Sequence, residues 1–206
     1  MSALEVKGLC KRYPAFSLEN VSFSVPEGAV MGFIGRNGAG KSTTLKSILG
    51  LVHPDAGEVT VLGKSFREEE QYIKERIGVV LGGIDFYPKK KVRLLSDVTR
   101  RFYGNWQEEK YRHYLNLFGI DQEKRVDQLS TGMRVKYMIA LALSHDARLL
   151  ILDEPTSGLD PVSRDELTEL LRRIAADGQR SVLFSTHITS DLEKCASHIT
   201  DRKSVV

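Results

Sequence analysis

Gly35-Arg36-Asn37-Gly38-Ala39-Gly40-Lys41-Ser42-Thr43 is the stretch on which the reading of this chain turns. Gly35 and Gly40 stand five apart, and a lysine and two hydroxyl residues follow at once. Upstream, Ala29 to Ile34 is an apolar run of the length of a buried strand; downstream, Thr43 to Leu51 reads as a helix. Strand, glycine-rich loop and helix, in that order, are the context in which this spacing cradles phosphate. The glycines let the loop bend so that successive N–H groups face inward, and the helix adds the positive end of its dipole. In that frame Lys41 reaches the β- and γ-phosphates of a nucleotide and the Ser42 hydroxyl ligates Mg²⁺. Without its flanks the stretch would be only a glycine-rich turn; the strand and helix on the correct sides favour the nucleotide.

The bulk numbers agree with a folded, mixed domain. At 206 residues the chain is long enough for one large α/β domain with a substantial core. Apolar content of 41% and charged content of 28% are ordinary for a globular protein. A net charge of +3 gives no reason to invoke nucleic acid as a partner. Cys10 and Cys195 lie far apart with no metal-ligand spacing, which suits a reducing cytosol. Met1 to Arg12 lacks the continuous apolar stretch of a signal peptide. No apolar run approaches the roughly 18 residues that a membrane span needs. If the protein acts at a membrane, another chain supplies the membrane part.

Residues 3 to 34 read as three strands: Leu4-Glu5-Val6-Lys7, Leu18 to Val25, and the buried run after the turn at Pro26-Glu27-Gly28. Beyond the first helix and the turn at 53–57, Glu58 to Leu62 and Arg76 to Leu81 read as further strands. The character then changes. Three helix-like segments, roughly Leu94–Tyr103, Gln107–Phe118 and Thr131–Ser144, occupy the region to about residue 145 with no convincing strand among them. An α/β rhythm returns with the apolar strand Arg148 to Leu152, the amphipathic helix Pro161 to Ala176, the helix stop Asp177-Gly178 and the strand Arg180 to Ser185. The expectation is a single domain over 1–206, with a core of 1–80 and 146–206 and a helical insertion at about 81–145. Lys89-Lys90-Lys91 with Arg93 is the dense basic run; it reads chiefly as a solvated loop, with contact to anionic lipid or an acidic surface as the alternative.

Leu149-Leu150-Ile151-Leu152-Asp153-Glu154 is a buried strand ending in two carboxylates. Alone, it could be a strand end with an acid capping the next helix. Beside a phosphate loop, Asp153 can hold Mg²⁺ through water and Glu154 can orient and polarise an attacking water. Three further pieces fall into order around it: Leu129-Ser130-Thr131-Gly132-Met133 upstream, Ser157-Gly158-Leu159-Asp160 downstream, and Thr186-His187 closing the next strand. This ordered set resembles the ATPase subunits of ATP-binding cassette (ABC) transporters, over almost the whole chain from Leu4 to about Ile199. The wording of Asp127 to Met133 resembles bacterial exporter-type cassettes.

The resemblance implies an α/β fold: a P-loop NTPase core with a mixed sheet, an N-terminal antiparallel β region and an inserted helical subdomain. It implies an Mg-dependent ATPase whose cofactors are ATP and Mg²⁺. Tyr13 would stack on the adenine ring, and Gly35, Asn37, Gly38, Gly40, Lys41, Ser42 and Thr43 would cradle the triphosphate. Asp153 would support the magnesium together with Ser42, Glu154 would be the general base, and His187 would contact the γ-phosphate and help hold the water. Ser130 and Gly132 would cap the γ-phosphate bound by an opposite subunit, although Ser130 is equally well placed as a helix N-cap. Asp160 would sit between the two sites. The implied partners are transmembrane permease subunits and a second ATPase subunit, as a homodimer or a heterodimer. The implied location is cytoplasmic, at the inner face of the cell membrane. Within the same family, an ATPase acting on chromosomes or ribosomes would carry coiled-coil insertions or zinc cysteines, and neither is visible; a module that holds ATP without hydrolysing it is the other alternative.

Three departures stand out. The glutamine usual at the end of the strand before the helical insertion is replaced by Gly82, then Gly83, with Asp85 the nearest acid. Thr131 and Met133 replace a common Gly and Gln in the signature, while Gly132 is kept. The tail from Asp201 to Val206 looks too polar and short to supply the further strand and helix that relatives have, so either the chain is truncated or one edge of the sheet is abbreviated.

Overall fold

Alternating apolar segments build one sheet of this protein, and unbroken apolar segments build another. The computed structural model describes residues 1–66, 68–81 and 87–201. Its first half runs β1 (Ser2–Tyr13), β2 (Phe16–Pro26), β3 (Val30–Ile34), α1 (Lys41–Ile48), β4 (Ala56–Val61), β5 (Lys64–Ser65), α2 (Glu70–Lys74) and β6 (Ile77–Val80). The helices α3 (Val92–Thr99), α4 (Glu108–Leu117) and α5 (Thr131–Ser144) follow, with 3-10 turns at Arg100–Phe102 and Val126–Gln128. The chain closes with β7 (Leu149–Asp153), α6 (Pro161–Ala175), β8 (Ser181–Thr186), α7 (Thr189–Cys195) and β9 (His198–Asp201).

The strands order as β2-β1-β4-β5 in an antiparallel sheet and β6-β7-β8-β3-β9 in a parallel one. The expected mixture of strand directions is thus shared between two sheets. Every residue of β7 and of β8 is buried, as both faces of a covered parallel sheet require. The strand period of two then sorts their side chains. Leu149, Ile151 and Leu183 face a core shared with Leu4, Val6, Leu9 and Leu18 of the antiparallel sheet and with Leu45 and Ile48 of α1. Leu150, Leu152, Val182 and Phe184 face the opposite core, filled by Ile139, Leu143, Leu167, Leu171 and Leu192 from α5, α6 and α7.

A third cluster holds the remaining helices together: Val92 and Leu95 of α3, Tyr111 and Leu115 of α4, and Tyr137, Ala140 and Leu141 of α5. Since α5 also gives Ile139, Ala142 and Leu143 to the sheet side, it is apolar nearly all round and belongs to both. Its buried tyrosine is satisfied inside that cluster. Ser96 Oγ lies 2.8 Å from Tyr137 Oη, and Tyr111 Oη donates to Ser96 Oγ at 2.6 Å.

Differences from the sequence reading have local causes. The first helix opens at Lys41 rather than Thr43, because the phosphate-type loop runs straight into it with Gly40 as N-cap. The short α2 has no apolar periodicity to betray it; Ile73 is its one buried residue. The segment His198–Asp201, to which the sequence reading gave no element, forms β9. It pairs in parallel with β3 from Met31↔His198 to Ile34↔Asp201, and backbone pairing at a sheet edge needs no apolar side chains. Residues 202–206 lie outside the described residues.

Candidate functional site

β7, β8 and β3 are neighbours in the parallel sheet, and all three end on one side. Asp153 pairs with Ser185 and Ile34 with Thr186, so the loop after β3, the acids after β7 and His187 after β8 start from one level. The carboxyl ends of parallel strands are where open α/β sheets take their ligands. Here they border a cleft of about 1050 Å³. Asn37, Gly38, Gly40, Lys41, Ser42 and Thr43 line one wall, and Asp153 and Glu154 another. Thr131, Arg134 and Met138 of α5 also line it.

The loop is shaped by its glycines. Gly38 (φ +83°) and Gly40 (φ +91°) are left-handed, a region other residues enter only with strain. A Cβ on Gly40 would lie 2.6 Å from Phe16 Cζ and 2.9 Å from Leu18 Cδ1, whereas one on Gly38 would meet open space. Gly40→Ala is therefore expected to lower stability by about 2–3 kcal/mol, from strain and overpacking together, and Gly38→Ala by about 1 kcal/mol from strain alone. Urea unfolding of the two variants checks the order. No side chain caps α1 and no acid sits in its first turn, so the positive end of the helix stays open toward the cleft.

Lys41 is 5% exposed, and a buried ammonium needs partners. Its Nζ donates to the Gly35 carbonyl at 2.7 Å and the Arg36 carbonyl at 3.3 Å, and lies 3.2 Å from Glu154 Oε1. Glu154 is held in an unusual way. Its backbone is left-handed at φ +47°, a conformation that costs a non-glycine residue about 1–3 kcal/mol. The Glu154 N–H donates to Ser185 Oγ at 2.9 Å, and the same hydroxyl donates to Asp153 Oδ1 at 2.6 Å. One buried serine thus fixes both acids. The other Glu154 oxygen, Oε2, lies 3.5 Å from His187 Nδ1.

Among the described residues Asp153 Oδ2 takes no hydrogen bond, and Ser42 lines the same cleft. A carboxylate oxygen and a hydroxyl suit a hard cation completed by phosphate and water, so the donor set fits Mg²⁺.

The remaining predicted residues lie elsewhere. Ser130 caps α5, its Oγ accepting from the Met133 N–H at 3.2 Å. Gly132 is buried, and a Cβ there would lie 3.5 Å from Ser163 Cβ. Ser163 Oγ in turn donates to Asp160 Oδ2 at 2.6 Å, so Gly132, Ser163 and Asp160 form one cluster. Asp160 caps α6; the Ser163 hydroxyl and the Ser163 and Val162 N–H groups keep its carboxyl below the usual carboxylate range. Tyr13 is half exposed and stacks on Phe16 at 6.5 Å, and it is Phe16 that lines the cleft. Gly82, Gly83 and Asp85 lie outside the described residues.

Sequence reasoning missed Phe16 and Ser185. The signal for Ser185 was the hydroxyl pair Ser185-Thr186 closing the apolar run Val182-Leu183-Phe184; Phe16 gave none beyond its nearness to Tyr13.

A family model described as ABC transporter matches residues 18–157, more than half of the chain. The chain belongs to the ABC transporter family. The bacitracin transport ATP-binding protein BcrA of Bacillus licheniformis is 34% identical over 185 residues, covering 89% of this ABC-family chain and 60% of that protein. The Nod factor export ATP-binding protein I of Burkholderia orbicola (strain AU 1054) is 33% identical over 205 residues, covering 97% of this chain and 67% of that one. The chain thus spans about three fifths to two thirds of the length of these curated relatives. A solved structure described as the ATP binding subunit of an ABC transporter superposes with a TM-score of 0.86 at 30% identity, covering 98% of this chain and 87% of that one. Among the described residues no helix is long and apolar enough to cross a membrane.

Proposed function

We propose that this ABC-family chain binds ATP at the loop over residues 35–43, hydrolyses it, and so powers separate transmembrane permease subunits. The observation that carries the reading is the convergence of Lys41, Asp153 and Glu154 on one cleft. The loop N–H groups and the open end of α1 receive the β- and γ-phosphates, and Lys41, held by the Gly35 carbonyl, neutralises them. Ser42 and Asp153 are the residues that would hold Mg²⁺, which supplies charge neutralisation on the phosphates when bound. Glu154 accepts a proton from a water whose oxygen attacks the γ-phosphorus, and the bond to the β-phosphate oxygen breaks to release ADP. His187, beside Glu154 Oε2, orients that water. Tyr13 and Phe16 form the aromatic pair available to the adenine.

Ser130 caps α5, Gly132 and Asp160 meet through Ser163 at the starts of α5 and α6, and none of the three lines the cleft that holds Lys41, which supports their serving a γ-phosphate held by a second ATPase subunit. The pair would then enclose two ATP molecules at its interface. For the transmembrane partner, α3 and the turn after it present Leu94, Val98 and Phe102, four residues apart and 47%, 45% and 76% exposed. Such a stripe on one helix face suits a partner helix.

The experiment measures phosphate release from MgATP by the purified chain, alone and with membranes carrying the permease. Release above a Lys41→Ala control, and retention of the chain on those membranes, supports the reading. Release equal to the control would favour a module that holds ATP without hydrolysing it.

A further inference from the structure

Asp191 lies outside every motif discussed so far, yet it has no exposed surface. Its Oδ2 accepts the Thr156 hydroxyl at 2.7 Å and the Thr186 hydroxyl at 3.5 Å. Thr156 stands two residues after Glu154, in the loop between β7 and α6. Thr186 directly precedes His187, and its Oγ1 accepts the Ile188 N–H at 3.0 Å, closing the turn that carries the histidine. Asp191 is therefore the shared anchor of the two loops that bring Glu154 and His187 to 3.5 Å from each other.

The fourth member of the group is Arg164 on α6. Its Nε lies 3.9 Å from Asp191 Oδ1, and both atoms are buried without a hydrogen bond among the described residues. Arg164 Nη2 donates to the Leu159 carbonyl at 3.4 Å, bracing the loop that ends in Asp160. An ion pair between a buried carboxylate and a partly exposed guanidinium is a poor way to gain stability, since the cost of taking charge out of water offsets much of the attraction. What it provides is orientation. The anchor sits on α7 with no exposed surface and does not line the cleft.

We propose that Asp191 is a positioning residue for hydrolysis. Acting through Thr156 and Thr186, it sets the separation of the Glu154 carboxylate and the His187 imidazole, and hence the rate of the chemical step, with no part in holding the nucleotide. This rests on the ATPase reading above.

The test compares Asp191→Asn, Thr156→Val and Thr156→Ser in the full chain, measuring kcat for phosphate release, KM, and the dissociation constant for MgATP. Misplacement of a catalytic pair by a fraction of an ångström to an ångström costs about 10- to 100-fold in rate. Asp191→Asn and Thr156→Val are expected to lose kcat in that range with the dissociation constant unchanged, and Thr156→Ser, which keeps the hydroxyl, to stay close to native. If Asp191→Asn does not fold, the two Thr156 variants decide alone. Native kcat in Thr156→Val overturns the proposal. So does a Thr156→Ser variant as impaired as Thr156→Val, or a parallel loss of affinity and rate, since each marks a purely structural role. If the native chain itself releases no phosphate above its Glu154→Gln variant, the ATPase reading fails first, and this proposal with it.

Discussion

Glu154→Gln is expected to keep MgATP binding and to lose turnover by about two to four orders of magnitude, the range a general base contributes. Glutamine has the shape of glutamate, so the oxygen facing Lys41 Nζ at 3.2 Å can be kept while the proton acceptor is removed. The backbone of residue 154 is left-handed in both proteins, and the Ser185 hydroxyl still receives its N–H, so the loop has no reason to move. With the γ-phosphate left in place, the proposed pair of subunits closed around ATP would have nothing to open it. Light scattering in MgATP should then report a dimer of the variant where the native chain cycles. Hydrolysis at the native rate would remove Glu154 from its role.

Lys41→Ala should strike one step earlier. The ammonium is buried and already fixed by two carbonyls, so under the proposed reading it would meet the phosphates with little further ordering. A charge-assisted hydrogen bond contributes about 1.5–3 kcal/mol, which corresponds to a dissociation constant for MgATP raised about 10- to 150-fold. The measurement is a nucleotide titration on variant protein whose circular dichroism matches the native chain. An unchanged dissociation constant would mean that the loop N–H groups and the α1 terminus bind phosphate without the lysine. The two substitutions separate the site into a part that holds and a part that reacts.

How much of this was legible in the sequence follows from how local each signal is. The 35–43 loop declared itself because the glycines, the lysine and the hydroxyl residues are consecutive, with a strand and a helix on either side. The acids at 153 and 154 were readable because β7 is apolar up to the point where it turns acidic. What could not be read was the pairing of distant segments. That β7, β8 and β3 are adjacent, which puts Ser185 between the two acids, is a fact of sheet order rather than of any sequence window. Asp191 looks like an ordinary first-turn acid of α7 until Thr156 is seen across from it. Phe16 reads as one more hairpin aromatic until Gly40 packs against it. At the far edge, β9 was invisible because its pairing is made by backbone groups and three of its four side chains face solvent.

Calorimetric titration of the folded full chain with MgATP is the most direct test of the whole account. A saturable exothermic or endothermic isotherm with one nucleotide per chain, weakened in Lys41→Ala, is the predicted outcome. No heat with either MgATP or MgADP, over a range of temperatures and on protein shown to be folded, would contradict it.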